Sequence, residues 1–175
     1  SREYQLMFYL ALFTGARLQT ICTLRIRCLL NRESDSYGFI RLPVGAGTGI
    51  DTKFQKPMTL LIPHWLAQDL KIYINSEQAR QRRQKSNYGD SDENYVFLTK
   101  LGTPFYTSKA EQQELTEEIK ASDSFSSKLK LYEGEAVRSY LKVVLLPEIR
   151  LIDPQFKSFK FHDLRASFGM NLLES

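Results

Sequence analysis

Four residues of this 175-residue chain have types and settings suited to handling a phosphate group. Thr14-Gly15-Ala16-Arg17 sets an arginine just past a glycine turn, between two apolar stretches. An arginine there must meet an anion or reach water, because an unpaired buried charge is costly. His162-Asp163-Leu164-Arg165 spaces a histidine and an arginine one helical turn apart. On one face, such a pair offers a proton-transfer group and a rigid fork of donors to a single phosphate. Lys53, with Lys56 close by, lies in a glycine-rich segment, and a lysine on a mobile loop can protonate a leaving oxygen. Each feature also has an ordinary structural counterpart. Arg17 can be salt-bridged or snorkelling, Asp163 can cap a helix and pair with Arg165, and Lys53 can be an edge lysine that discourages strand pairing.

The elements that must position these residues follow from apolar periodicity. Residues 4–13, apolar on nearly all sides, predict a buried helix broken by Thr14-Gly15. Residues 17–29 predict a second helix on the spacing of Leu18, Ile21, Cys22, Leu24 and Cys28. Phe39 to Val44 and Met58 to Ile62 have strand character and flank GAGTGIDTKFQKP, which predicts an antiparallel hairpin with a long tip. Pro63 to about Arg83 reads as one helix running into a cluster of Arg80, Arg82, Arg83 and Lys85. A loop at 86–94, a short extended segment at 95–98 and a turn at Gly102-Thr103-Pro104 follow. An acidic helix at 109–121 leads to a serine-rich connection at 122–128. The next helix, 133–146, has Ala136, Val137, Tyr140, Leu141, Val144 and Leu145 on its apolar face and ends at Pro147. The last helix runs from Asp163 to Leu173, with Leu164, Phe168 and Leu172 four apart. The sum is an α+β fold, mainly helical, with a small antiparallel β-sheet.

Composition bounds the partners. Lys and Arg number 24 against 20 Asp and Glu, a formal charge of +4, which permits a polyanionic partner without demanding one. Residues 1–60 carry a net +4, 61–110 a net +2 and 111–175 a net −2, so an anion-binding face is expected to draw on the first third. The acidic stretch Glu111 to Asp123 is expected to face away from any such partner. The longest apolar run, Leu6 to Phe13, is too short to span a bilayer, so no membrane partner is expected. Cys22 and Cys28 make no disulfide framework and read as reduced core residues of a cytosolic protein. With His64 and His162 the only histidines, a multi-histidine metal site is excluded and no metal is expected. GAGTGIDTK lacks the Gly-Lys-Ser/Thr ending of a nucleotide-phosphate loop.

Taken together, the boxes carry a resemblance. LMFYLALFTGARLQTICTLR resembles the first arginine box of the tyrosine recombinases, the phage-integrase family, with Thr14, Gly15, Arg17, Leu24 and Arg25 at the matching places. FHDLRASFGMNLLES resembles the second box, with His162, Arg165, Leu172, Leu173 and Glu174. Between them TKFQKPMTLLIP stands where that family keeps its catalytic lysine and a strand ending in Ile-Pro. Three positions depart from the pattern. Thr20 stands where an acid is frequent, Ala166 where a histidine is, and Ala46 occupies one lysine position, which moves that role to Lys53 or Lys56.

The resemblance implies a site-specific DNA recombinase, of a bacterial mobile element, that breaks and rejoins DNA through a 3′-phosphotyrosine link. Arg17 and Arg165 would hold the non-bridging oxygens, His162 would help move the tyrosine proton, and Lys53 would protonate the leaving 5′-oxygen. Arg25, Arg27, Arg41, Lys56, Arg80, Arg82 and Arg83 are the candidates for holding the DNA backbone. No cofactor is implied. The partners would be double-stranded DNA and, at full length, three further copies in a tetramer, in the bacterial cytoplasm at the nucleoid. On the same resemblance, residues 1–175 are a partial catalytic domain and residues 76–130 an insertion within it. None of the nine tyrosines follows Tyr140, so the nucleophile is expected beyond Ser175 and this fragment is expected to be inactive. A non-catalytic DNA-binding remnant and a type IB topoisomerase-like enzyme are the alternatives.

Overall fold

The computed structural model describes residues 1–122 and 129–174. Residues 123–128 of the serine-rich connection, Ser175 and the side chains of residues 171–174, with Leu172, Leu173 and Glu174 among them, lie outside the described residues. The fold is α+β: mainly helical, with one two-stranded antiparallel sheet among the described residues. Helix α1 (Arg2–Thr14) is the central element, with Leu6, Met7, Leu10 and Ala11 fully buried. It ends at Gly15, whose left-handed φ of 68° lets its N–H reach the Ala11 carbonyl at 3.1 Å.

The expected helix over 17–29 is shorter than its periodicity predicts. Helix α2 (Leu18–Cys22) stops where the Thr23 hydroxyl turns back to the Gln19 carbonyl at 2.8 Å. The next residues, Leu24-Arg25-Ile26, extend against the 92–96 segment. Val96 N–H donates to the Leu24 carbonyl (2.8 Å) and Ile26 N–H to the Asn94 carbonyl (3.1 Å). A single helical turn, α3 (Arg27–Leu30), follows.

The hairpin matches its sequence signal. Strands β1 (Phe39–Val44) and β2 (Met58–Pro63) pair from Phe39 opposite Pro63 to Val44 opposite Met58. Ile40, Leu42, Val44, Leu60 and Ile62 alternate into the core. The tip folds back on itself. At Lys53–Gln55 the chain makes one tight turn in which Phe54 and Gln55 take φ of 57° and 55°. That region costs a non-glycine residue about 1–2 kcal/mol.

The segment read as one helix from Pro63 to Arg83 is two, α4 (His64–Ile74) and α5 (Glu77–Gln84). Ser76 makes the break: its hydroxyl donates to the Tyr73 carbonyl (2.6 Å) and accepts from Ala79 N–H (3.2 Å), capping α5. The bend turns two of the expected DNA-facing arginines inward. Arg82 donates to the Leu98 carbonyl (2.8 Å) and to the Glu3 carboxylate (3.1 Å). Arg83 donates to the Ile74 carbonyl (2.8 Å) and to Asp90 (2.7 Å). Within the 76–130 stretch, Val96, Phe97 and Phe105 pack into the main core, and Tyr95 is also buried. Helix α6 (Lys109–Ala121) is capped by Ser108. Its acidic face is not uniformly outward, because Glu111 is buried and accepts from the Tyr95 hydroxyl at 2.5 Å.

Pro147 does not end the helix before it. Helix α7 (Glu135–Tyr140) passes through a wide π turn (Leu141–Leu145) into α8 (Leu146–Ile152). A proline ring collides with the carbonyl four residues back, and a widened preceding turn relieves that collision. The extra residue also shifts the buried face. Val137 and Leu141 are four apart, but the next buried residue is Leu146 rather than Leu145. Helix α9 (Phe161–Glu174) then lies along α1, with the Phe8 and Phe161 rings 5.7 Å apart.

The Glu3–Arg82 pair joins α1 to α5 inside the core. Burial raises the Glu3 carboxyl, but hydrogen bonds from the Ser1 side chain and the backbone, with the Arg82 charge, outweigh it and hold the carboxyl below its usual range. A lowered folded-state pKa means stability that is present above the ordinary glutamate pKa of about 4.3 and lost as pH falls through the folded value. Acid unfolding of Glu3→Gln is therefore expected to lack this component below about pH 4. Arg82→Ala leaves the carboxylate buried without its cation and is expected to lower urea-unfolding stability by about 3–5 kcal/mol.

Candidate active site

The C-terminal end of α1 and helix α9 meet at the Gly15 turn. Thr14 builds the turn: its hydroxyl donates to the Leu10 carbonyl (2.5 Å) and accepts from Ala16 N–H (3.2 Å). This leaves the Gly15 carbonyl free of α1, and Arg165 Nε of α9 donates to it at 2.5 Å. The Phe168 ring also needs the glycine, because a Cβ at Gly15 would lie 2.5 Å from it. Arg17, the residue before α2, is exposed; its carbonyl accepts from Ile21 N–H (3.0 Å), and its side chain makes no hydrogen bond or ion pair among the described residues.

Arg17, His162 and Arg165 line one cavity of about 640 Å3. They share it with Gln19, Tyr106, Arg138, Lys142 and Lys160, over an apolar floor that includes Leu141, Leu146, Phe159 and Phe161. Among the described residues, no aspartate or glutamate lines it. None of its five Lys and Arg side chains forms a salt bridge among the described residues. Burial, and then the like charge of Arg17, push the Arg165 guanidinium below its usual range. Arginine nonetheless stays protonated in proteins. Two guanidinium groups held near one another without a counter-acid form a site for an anion. Since Arg165 spends only Nε on Gly15, both of its Nη groups remain to grip oxygen.

Sequence reasoning missed much of this lining. Four of the five cations, Arg138, Lys142, Lys160 and Arg165, come from the net-acidic last third rather than the first third. Their acidic neighbours in sequence do not line the cavity. Arg138 and Lys142 stand four apart on a helix, a spacing readable in the sequence, and the π turn belongs to that wall. Tyr106 reaches the cavity because residues 105–107 pair with 132–134: Gly134 N–H donates to the Phe105 carbonyl and Thr107 N–H to the Tyr132 carbonyl, both at 2.9 Å. Burial and nearby Glu133 raise the Tyr106 phenol, which opposes its acting as a nucleophile.

The remaining expected residues divide. Lys53 is exposed on the hairpin tip and is not among the cavity lining. Lys56 and Arg80 are exposed. Arg41 is exposed but paired with Asp35 at 2.9 Å. Arg27 is half-buried, bonded to Glu93 and to the Thr48 carbonyl. Arg25, expected on the DNA side, is instead buried. Its three nitrogens donate to Ser108 Oγ (2.7 Å), the Glu93 carbonyl (3.0 Å) and the Gly49 carbonyl (3.3 Å), and it lies 4.1 Å from the Tyr95 ring centroid. Arg25, Arg82 and Arg83 are thus committed to protein acceptors and removed from the backbone-binding set.

Asp51 links the hairpin tip to the cavity. It is buried, and its carboxylate accepts from Gln19 Nε2 (2.8 Å), Gln55 Nε2 (3.2 Å) and Lys109 N–H (3.2 Å). One side chain thereby fixes the Lys53 turn, the Gln19 wall of the cavity and the start of α6.

No protein-family model matches the chain, and no curated protein matches it. No helix among the described residues is long and apolar enough to cross a membrane. The site therefore rests on its own geometry. Gly15→Ala adds a left-handed penalty of about 1–2 kcal/mol and a clash with Phe168. The variant is expected to unfold at lower urea concentration, by at least that amount, and to bind anions more weakly because Arg165 loses its anchor.

Proposed function

We propose that the cavity binds a DNA phosphodiester, and that the chain is catalytic-domain sequence of a tyrosine-recombinase-like protein of a bacterial mobile element. The observation that carries this reading is the convergence of Arg17 with His162 and Arg165, distant from it in sequence, on one cavity that no acid lines among the described residues. In this reading the free fork of Arg17 and the two Nη groups of Arg165 hold the non-bridging oxygens. Charge that builds on those oxygens in the transition state is then met by donors already in place. A tyrosine oxygen bonds to phosphorus as the P–O5′ bond breaks, His162 assists the phenol proton, and Lys53 or Lys56 protonates the 5′-oxygen. The rejoining step reverses this, with the bond energy retained in the phosphotyrosine link. Double-stranded DNA is the proposed partner, in a tetramer on DNA in the bacterial cytoplasm.

The position of Lys53 outside the cavity favours a second reading, in which the same cavity binds DNA without cleaving it. The two readings share a binding step and differ in a covalent one. Fluorescence anisotropy on a labelled duplex is expected to show affinity falling by about 500-fold between 50 and 200 mM salt, the slope for about five released counterions. Arg17→Ala and Arg165→Ala should each reduce that slope by about one, and Tyr106→Phe should leave affinity within about twofold. No salt dependence would overturn both readings. A denaturant-resistant adduct of the full-length gene product with a nicked suicide duplex, lost in Arg17→Ala, is the outcome expected of the recombinase. Its absence alongside intact binding favours the non-cleaving reading.

A further inference from the structure

Phe54 is the most exposed large apolar side chain among the described residues, 90% open to solvent. It is not on a slack loop. Gln55 N–H donates to the Thr52 carbonyl (3.1 Å), Lys56 N–H to the Lys53 carbonyl (3.2 Å) and Thr52 Oγ1 to the Lys56 carbonyl (2.6 Å). Ala46 N–H reaches across the tip to the Gln55 carbonyl at 3.0 Å. Gln55 Nε2 ties the turn to buried Asp51, and so to Gln19 on the cavity wall. Gly45 lets the strands close this tightly, since a Cβ there would lie 2.5 Å from the Lys56 carbonyl. Two consecutive non-glycine residues at positive φ are kept only where surrounding bonds over-determine them, and such strain gathers at functional positions.

The turn itself is cationic, and Glu93 and Glu114 lie on the far side of the depression that Gln55 and Ala46 line. Lys53 Nζ lies 5.2 Å from the Phe54 ring centroid, and Lys56 follows two residues on. From residue 36 to residue 68 the only acid is Asp51, which is buried. A rigid aromatic ring thrust into water, with one lysine beside it and a second two residues on, has the chemistry to stack on a nucleobase while the cations meet flanking phosphates. DNA supplies both a flat base face for Phe54 and phosphates for the two lysines.

We infer that Phe54 is a wedge that stacks on, or inserts between, DNA bases, with Lys53 and Lys56 on the adjoining phosphates. The inference rests on the reading of DNA as the partner. It gives the turn a place on DNA independent of any proton transfer by Lys53.

The test uses a short duplex carrying 2-aminopurine, whose emission rises on unstacking. Saturating wild-type protein is expected to raise that emission. Phe54→Ala is expected to weaken binding by about 5- to 100-fold and, at saturation, to leave the emission at its free-duplex level. Phe54→Trp should restore both. The side chain is exposed, so circular dichroism is expected to find all three proteins equally folded. Wild-type protein that binds with the expected salt slope while Phe54→Ala matches it in affinity and emission would overturn the wedge alone. Wild-type protein that fails to bind the duplex overturns the DNA reading, and the wedge with it. Self-association in sedimentation, without DNA, that vanishes in Phe54→Ala would make Phe54 a contact between copies of this chain and would also overturn the wedge.

Discussion

One backbone carbonyl ties α1 to α9, the first and last helices of the described residues. Because Gly15 can take a left-handed conformation, α1 stops there and leaves that carbonyl unclaimed for Arg165. The same turn sends the chain out through Arg17 and clears room for Phe168. A hydrogen bond from a charged donor to a backbone oxygen is worth more than a neutral one, and this one spans 150 positions of sequence. The gathering of Arg17, His162 and Arg165 depends on it. The like-charge repulsion that the gathering brings is tolerated because α1 and α9 are also zipped by buried aromatic and aliphatic contacts.

The rest of the architecture keeps its acids away from the cavity. Acidic side chains are abundant in the last third of the chain, yet among the described residues none lines the cavity. Buried carboxylates are spent internally: Glu3 on Arg82, Glu111 on Tyr95, and Asp51 on two glutamines and a backbone N–H. Arginines are sorted in the same way, with Arg25, Arg82 and Arg83 supplying buried donors to carbonyls that no strand or helix satisfies. What reaches the cavity is the residue of that sorting, an excess of positive charge facing solvent.

The sequence made some of this legible. Alternation of Ile40, Leu42 and Val44 against Leu60 and Ile62 reported the hairpin, and the glycine turn reported the end of α1, because both signals are local. The breaks at Thr23 and Ser76 were not legible, since a hydroxyl that turns back on its own helix competes with a periodicity that otherwise continues. Missing the Ser76 break hid the fate of Arg82 and Arg83, which read as candidates for holding the DNA backbone and are core donors. Arg17, His162 and Arg165 were legible as a set through ordered motifs. Arg138, Lys142, Lys160 and Tyr106 were not, because their approach to the cavity depends on pairing of 105–107 with 132–134 and on the π turn. Neither leaves a one-dimensional trace.

The π turn at Leu141–Leu145 makes the long helix a phase-shifting element. Its two halves obey different helical registers, so the angular offset between Arg138 and the surface beyond Leu146 is set by one surplus residue rather than by any side chain. Length and direction are separable here. Removing one residue from the turn would barely shorten the helix, yet would rotate everything after it by about 100° relative to the cavity. Insertions and deletions at this point are therefore steering changes, and a lineage of such sequences could re-aim the wall of the site without altering a single one of its cations.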